Sequence, residues 1–250
     1  MLQAVPVDPA FAGPLIAHRG ASGSHPENTL AAIEAAHRTG CRWVEVDAQM
    51  TECGGAVLMH DHTLDRTTDG TGMVGLHSLE QCLALRTRDP ETSALTNAAP
   101  ATLTAALDLC DRLSLGLVLE IKATWGIDAA CAAAVLREVP ARPGFPLLVT
   151  SFSVPALQAA RRLRPDLPLG LACLCPPTDP APLHALGLRA VHINDAFATP
   201  ARVSALRSAG LGVAVATVND PGRIAELLAM GAHGVMTDYP EIRPPDPEQG

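Results

Sequence analysis

The chain has 250 residues, of which 48% are apolar and only 3% aromatic, and its formal net charge is −8. That length suits one large α/β domain or two small ones, and the composition excludes a disordered or fibrous chain. An acidic balance without a long basic block argues against a nucleic-acid partner, and no apolar run reaches the roughly 18 residues that a membrane-spanning helix needs.

Residues 1–14 hold three prolines and no basic residue, so no signal peptide is expected there. Seven cysteines, an odd number without dense spacing, point to a reducing cytoplasm rather than to a disulfide framework. Apolar, β-branched segments then recur at 14–18, 43–49, 56–60, 115–121, 146–151, 167–173, 190–194, 212–218 and 234–237. Most are separated by Ala- and Leu-rich stretches with helical spacing, such as 30–36 and 224–228. Strands alternating with helices read as a parallel sheet.

Nine candidates exceed the eight strands of a (β/α)₈ TIM barrel, and the turn Thr51-Glu52-Cys53-Gly54-Gly55 resolves the excess. A parallel crossover needs about a dozen residues or more, so 56–60 is expected to fold back antiparallel on strand two as a hairpin. After strand one, Asn28 or Thr29 is placed to cap a helix that Gly40 closes. Residues 61–100 read as a small insertion over the barrel mouth, with helical patterns near 78–86 and, beyond it, at 101–112. The whole of 1–250 is expected to form a single domain, with a frayed tail at 244–250.

The polar residues fall at the carboxyl ends of these strands, where barrel enzymes keep their working groups. Side chains at i and i+2 share a strand face. Glu45 and Asp47 therefore point one way, as do Glu120 and Lys122, and Thr217 and Asn219. With His18 they converge on one rim. A hairpin turn centred near 52–53 sets His60 across from Glu45. Three carboxylates in one cavity repel each other and any anionic substrate, which implies a hard divalent cation, Mg²⁺ or Ca²⁺, on Glu45, Asp47 and Glu120. Arg19 and Lys122 then suit phosphoryl oxygens, and two imidazoles can serve as general acid and base. Singly, each group has a plainer reading as a solvated pair or a structural histidine; their joint occurrence favours chemistry.

The ordered motifs His18-Arg19-Gly20, Pro26-Glu27-Asn28-Thr29, Glu45-x-Asp47, His60-Asp61, Glu120-Ile121-Lys122, Ser151-Phe152, Thr217-Val218-Asn219 and Thr237-Asp238-x-Pro240 resemble those of the glycerophosphodiester phosphodiesterases over about residues 14 to 240. The resemblance implies metal-dependent hydrolysis of a small-molecule glycerophosphodiester to sn-glycerol 3-phosphate and an alcohol. It implies His18 and His60 as catalytic acid and base, Arg19 and Lys122 as phosphate contacts, and Glu45, Asp47 and Glu120 as metal ligands; Asn219, on the same rim, is expected to bind substrate. Two positions depart from the family pattern. Ala216 stands where a Trp commonly precedes the Thr-Val-Asn triplet, and Cys53-Gly54 where the turn usually reads Asp-Gly. The alternatives are a related barrel lyase that stops at a cyclic phosphate, and a non-catalytic phosphate-binding barrel.

Other residues read as structural. His25, His62 and His77 fall in loops near the rim, and His184, His192 and His233 have no recognisable partner in the sequence. Cys173-x-Cys175 reads as two thiols on a buried strand or its end.

Overall fold

A computed structural model describes residues 14–140 and 144–242. The expectations for 1–13 and 244–250 lie outside the described residues. The strands are β1 (Leu15–Ala17), β2 (Trp43–Met50), β3 (Ala56–Leu58), β4 (Gly116–Ile121), β5 (Leu147–Ser151), β6 (Leu169–Cys173), β7 (Ala190–Asn194), β8 (Gly212–Ala216) and β9 (Gly234–Thr237). The helices are α1 (Leu30–Arg38), α2 (Leu79–Leu83), α3 (Leu103–Arg112), α4 (Asp128–Arg137), α5 (Val154–Leu163), α6 (Ala181–Ala185), α7 (Pro200–Ser208) and α8 (Pro221–Ala229).

Parallel pairing runs β1-β9-β8-β7-β6-β5-β4-β2 and closes through β1 on β2, giving the eight-stranded (β/α)₈ barrel. The ninth strand, β3, pairs antiparallel with β2, as the short turn required. Its register, Ala48 to Leu58 and Met50 to Ala56, centres the turn on Cys53. Continued outward, that register sets position 60 across from Val46, one residue from the expected partner Glu45. β8 stops at Ala216, so the expected shared strand face of Thr217 and Asn219 does not exist.

Parallel strands covered by helices bury both faces. Ile33, Leu107, Val135, Leu157, Val203 and Ile224 fill the space between helices and barrel together with Val44, Leu117 and Val149. Inside the barrel, Ile16, Trp43, Val118, Leu148, Ala190, Ala214 and Met236 form a separate layer. Trp43 fits because Gly116 lies beside it: a Cβ there would sit 2.6 Å from the indole ring. Alternation then fixes what faces inward one step nearer the carboxyl ends. Those positions are His18, Glu45, Glu120, Thr150, His192, Ala216 and Asp238, with Asp47 one step further along β2.

The first helix is capped as expected. Thr29 accepts the amide of Ala32, and Gly40 takes the left-handed conformation, φ +85°, just past its end. Residues 61–100 contain α2, whose N-terminus has a reciprocal Ser78–Gln81 capping box, and short antiparallel bridges. Among the described residues no helix is long and apolar enough to cross a membrane.

Candidate active site

The inward positions open into a cavity of about 160 Å³ lined by His18, Arg19, Glu45, Asp47, His60, Glu120 and residues of β5 to β9. Oxygens of Glu45, Asp47 and Glu120 all lie within 4.8 Å of one another. Oxygen ligands about 2.0–2.6 Å from one cation can be no farther apart than about 5 Å, so the cluster fits a hard divalent ion. Its charges are otherwise poorly balanced. Burial and the neighbouring Asp47 and Glu120 carboxylates push the Glu45 carboxyl well above its usual range. Burial and Asp47 push Glu120 up to about 7, against the pull of Lys122. Burial also opposes ionisation of Asp47, yet Lys122, Arg19 and His60 together with an Asn28 hydrogen bond hold it below its ordinary value. The least stable negative charges in the site are thus those of Glu45 and Glu120.

Backbone geometry sets this cluster. Arg19 and Asn28 both adopt left-handed φ values, 56° and 58°. In that conformation the Arg19 amide donates to Glu45 Oε2 at 3.0 Å, and the guanidinium lies 2.9 Å from Glu27 Oε1 and 3.3 Å from Asp47 Oδ2. Asn28 donates from Nδ2 to Asp47 Oδ2 and accepts the Asp47 amide, both at 2.9 Å. Lys122 places its ammonium 2.7 Å from Glu120 Oε1 and 3.4 Å from Asp47 Oδ1. Lys122 is not among the cavity-lining residues.

Both histidines are held by a carboxylate on Nδ1, which leaves Nε2 for the cavity. His18 Nδ1 is 2.7 Å from Asp238 Oδ1, and His60 Nδ1 is 2.7 Å from Asp61 Oδ1. Burial, with Arg19 and Lys122, biases His60 toward the neutral form against Asp47 and Asp61. Asn219 donates to Asp238 Oδ2 at 2.8 Å, and its amide oxygen accepts from the Thr237 hydroxyl and the Asp238 amide. It therefore meets the His18–Asp238 pair instead of the cavity lining.

Sequence reasoning assigned no role to Asp61, Asp238 or Glu27 and read Asn28 only as a possible helix cap, although each lay in a quoted motif. It also passed over Arg66. That guanidinium donates to both oxygens of Asp61 at 2.6 and 2.9 Å and to both oxygens of Glu27 at 2.7 and 2.9 Å. One residue of the 61–100 segment thereby ties the carboxylate behind His60 to the one behind Arg19. His192 was read as structural, yet it lines the cavity, is 5% exposed, and its Nε2 has no hydrogen-bond partner. Ala216, the departure from the family pattern, also lines the cavity. His25, His62 and His77 do not, bonding instead to Ser24, Gln49 and the Met73 carbonyl. Cys173, at the end of β6, lines the cavity and Cys175 is exposed; both are free thiols.

The model of the glycerophosphoryl diester phosphodiesterase family matches residues 18–242. The chain belongs to that family. Among solved structures, it is similar to a phosphodiesterase from Oleispira antarctica in complex with the product sn-glycerol-3-phosphate. That likeness has a TM-score of 0.87 and 31% identity, and covers 93% of this chain and 96% of the other. A glycerophosphodiester phosphodiesterase of Bacillus subtilis is 31% identical over 91% of this chain and 84% of its own length. One from Caldanaerobacter subterraneus is 27% identical over 91% and 94%.

Proposed function

We propose that this chain hydrolyses a glycerophosphodiester to sn-glycerol 3-phosphate and an alcohol, with a divalent cation, Mg²⁺ or Ca²⁺, held by Glu45, Asp47 and Glu120. The observation that carries the reading is the pair of carboxylate-held imidazoles beside the three-carboxylate cluster. Family membership and the product bound by the Oleispira relative support the substrate class.

In this reading water adds to phosphorus and the bond from phosphorus to the alcohol oxygen breaks. One imidazole takes the proton of the attacking water and the other protonates the departing alkoxide; His18 and His60 fill these two roles. Asp238 and Asp61 fix the ring orientation and tautomer, so that Nε2 moves the proton. A cation held by Glu45, Asp47 and Glu120 would supply charge neutralisation at the phosphoryl oxygens. Arg19 and Lys122 add positive charge beside it. Asn219 serves the substrate side of the site through Asp238. Residues 1–250 work as one domain in which 61–100 is an insertion, and seven free thiols are consistent with a cytoplasmic setting.

The second reading, a lyase, differs in its product. Attack by a neighbouring substrate hydroxyl would leave a cyclic phosphate, whereas attack by water leaves a monoester. Chromatographic identification of the product from glycerophosphocholine tests this. Glycerol 3-phosphate without a cyclic intermediate is expected, and accumulation of cyclic phosphate would overturn hydrolysis.

A further inference from the structure

Arg66 sits in the loop beyond His60, half-exposed and outside the cavity lining. An exposed ion pair usually contributes little, but a planar guanidinium engaged on both edges is an exception. Nε and Nη2 of Arg66 donate to Asp61 Oδ2 and Oδ1 at 2.6 and 2.9 Å. Nη1 and Nη2 donate to Glu27 Oε2 and Oε1 at 2.7 and 2.9 Å. The two carboxylates are shared in the same way. Asp61 Oδ1 also meets His60 Nδ1 at 2.7 Å, and Glu27 Oε1 also accepts from Arg19 Nη1 at 2.9 Å. Among the described residues, the second oxygen of each carboxylate has Arg66 as its one hydrogen-bond donor. Hydrogen bonds from Arg66 hold the Asp61 carboxyl below its ordinary value. Burial opposes ionisation of Glu27, yet Arg66 and Arg19 hold it below its ordinary value too.

The loop that carries Arg66 is itself held firmly. Leu64 and Thr68 are fully buried, and Thr68 donates both its amide and its hydroxyl to the Leu64 carbonyl, at 3.1 and 2.7 Å. Arg88 donates from Nε to the Thr68 carbonyl at 2.9 Å, and Asp65 accepts the Gly72 amide. An arginine kept for surface stability could pair with any carboxylate. Here all four bonds end on the two that orient His60 and Arg19. We propose that Arg66 is a positioning residue: by locking Asp61 and Glu27 to one planar group, it aims the His60 imidazole and the Arg19 guanidinium at one phosphoryl group. This rests on the phosphodiesterase reading above and adds the residue that couples its acid–base and phosphate-binding arms. Without Arg66 each carboxylate keeps its bond to the active-site group and is free to turn about its last torsion. A displacement of about 1 Å in such groups can cost about 10²-fold in rate. Lysine cannot substitute, because one ammonium does not span four oxygens in a plane.

The test measures kcat and KM for glycerophosphocholine in Arg66→Ala, alone and in backgrounds that lack the carboxylates. Arg66→Ala should lower kcat/KM by about 10- to 10²-fold with thermal unfolding little changed, and Arg66→Lys should recover little of the loss. In Asp61→Ala or Glu27→Ala the same step should cost less. In the Asp61→Ala/Glu27→Ala background it should cost less than about twofold, because residues that act as one unit are not additive. Nitrogen NMR of ¹⁵N-histidine protein gives a readout free of activity, with the His60 signals assigned by their loss in His60→Gln. Above its titration, wild-type His60 should carry its proton on Nδ1, toward Asp61, and Arg66→Ala should mix the two tautomers. An undiminished cost of Arg66→Ala in the Asp61→Ala/Glu27→Ala background overturns the proposal. So does wild-type kcat/KM in Arg66→Lys, or an unchanged His60 tautomer in an Arg66→Ala protein that merely unfolds at lower temperature. A tautomer change in a protein that turns over no glycerophosphodiester with Mg²⁺ or Ca²⁺ supports the positioning role and overturns the phosphodiesterase reading instead.

Discussion

The two halves of the barrel mouth are made by the same device and end in opposite chemistry. On β1, β2 and β4 the inward positions beyond the interior layer are His18, Glu45, Asp47 and Glu120, with Asp238 from β9 behind His18. On β5 to β8 the equivalent wall is Thr150, Ala172, His192 and Ala216, under exposed Phe152 and Leu174. The charged half is cross-braced: Glu27 holds Arg19, Asn28 holds Asp47, Asp61 holds His60, Asp238 holds His18, and Arg66 joins Glu27 to Asp61. The apolar half holds a single buried imidazole with an unmet nitrogen. Catalysis needs fixed geometry and many partners, whereas accommodation of a varied organic group needs shape and few obligations.

The charged half should break most sharply. His18→Ala or His60→Ala is expected to lower kcat by roughly 10²–10⁴-fold, the usual contribution of a positioned acid or base. The double variant should lose less than the product of the singles, since both act in one transition state. Steady-state kinetics on variants with unchanged thermal unfolding check this, and near wild-type kcat in either single variant removes that residue from the mechanism.

The apolar half should break through stability. Burial pushes His192 down to about 4 from an ordinary 6.5, so the folded barrel holds a neutral ring. Because the folded value lies below the unfolded one, the unfolded chain gains the proton first as pH falls. The stability present above about 6.5 is lost progressively down to about 4, by up to about 3 kcal/mol. Denaturant unfolding from pH 7 to 4 should show this slope reduced in His192→Phe. An identical slope in the two proteins would place the ring in contact with water.

Arg19→Lys retains the charge and loses the planar fork, so kcat/KM should fall at least about tenfold, or about 1.4 kcal/mol. An unchanged kcat/KM would take Arg19 out of the phosphate site. The smallest effect belongs to Ala216, which leaves the apolar wall wide. The wild type should turn over choline, ethanolamine and glycerol diesters with kcat/KM values within about tenfold of each other, because modest apolar contacts discriminate by only about 1–3 kcal/mol. Ala216→Trp should sharpen that preference without changing metal dependence, and an unaltered substrate profile would show that position 216 does not shape the cavity.

The difference between the halves also explains what the sequence disclosed. Alternating apolar segments showed the barrel because parallel strands are buried on both faces, and the length of the 51–55 turn showed that β3 folds back. Histidines and carboxylates at strand ends stand out against apolar runs, which made His18, Glu45, Asp47, His60 and Glu120 readable. Register was harder: the observed hairpin register, continued outward, sets position 60 across from Val46, one residue from the expected Glu45. Ala216 faces inward by alternation with Ala214, and β8 ends there, leaving Asn219 beyond the strand on Asp238. Asp61, Asp238 and Arg66 act through side-chain geometry that no spacing encodes. Trp125, Phe152 and Leu174 are of the same residue types as the core, so only their exposure in the folded chain separates them from it.

The central claim is that the carboxylate cluster works with a divalent cation to release glycerol 3-phosphate. Coupled detection of glycerol 3-phosphate from glycerophosphocholine, with and without EDTA, measures it directly. Turnover should vanish on chelation and return with excess Mg²⁺ or Ca²⁺. Full activity in excess EDTA, with no tightly bound ion by elemental analysis, would contradict it.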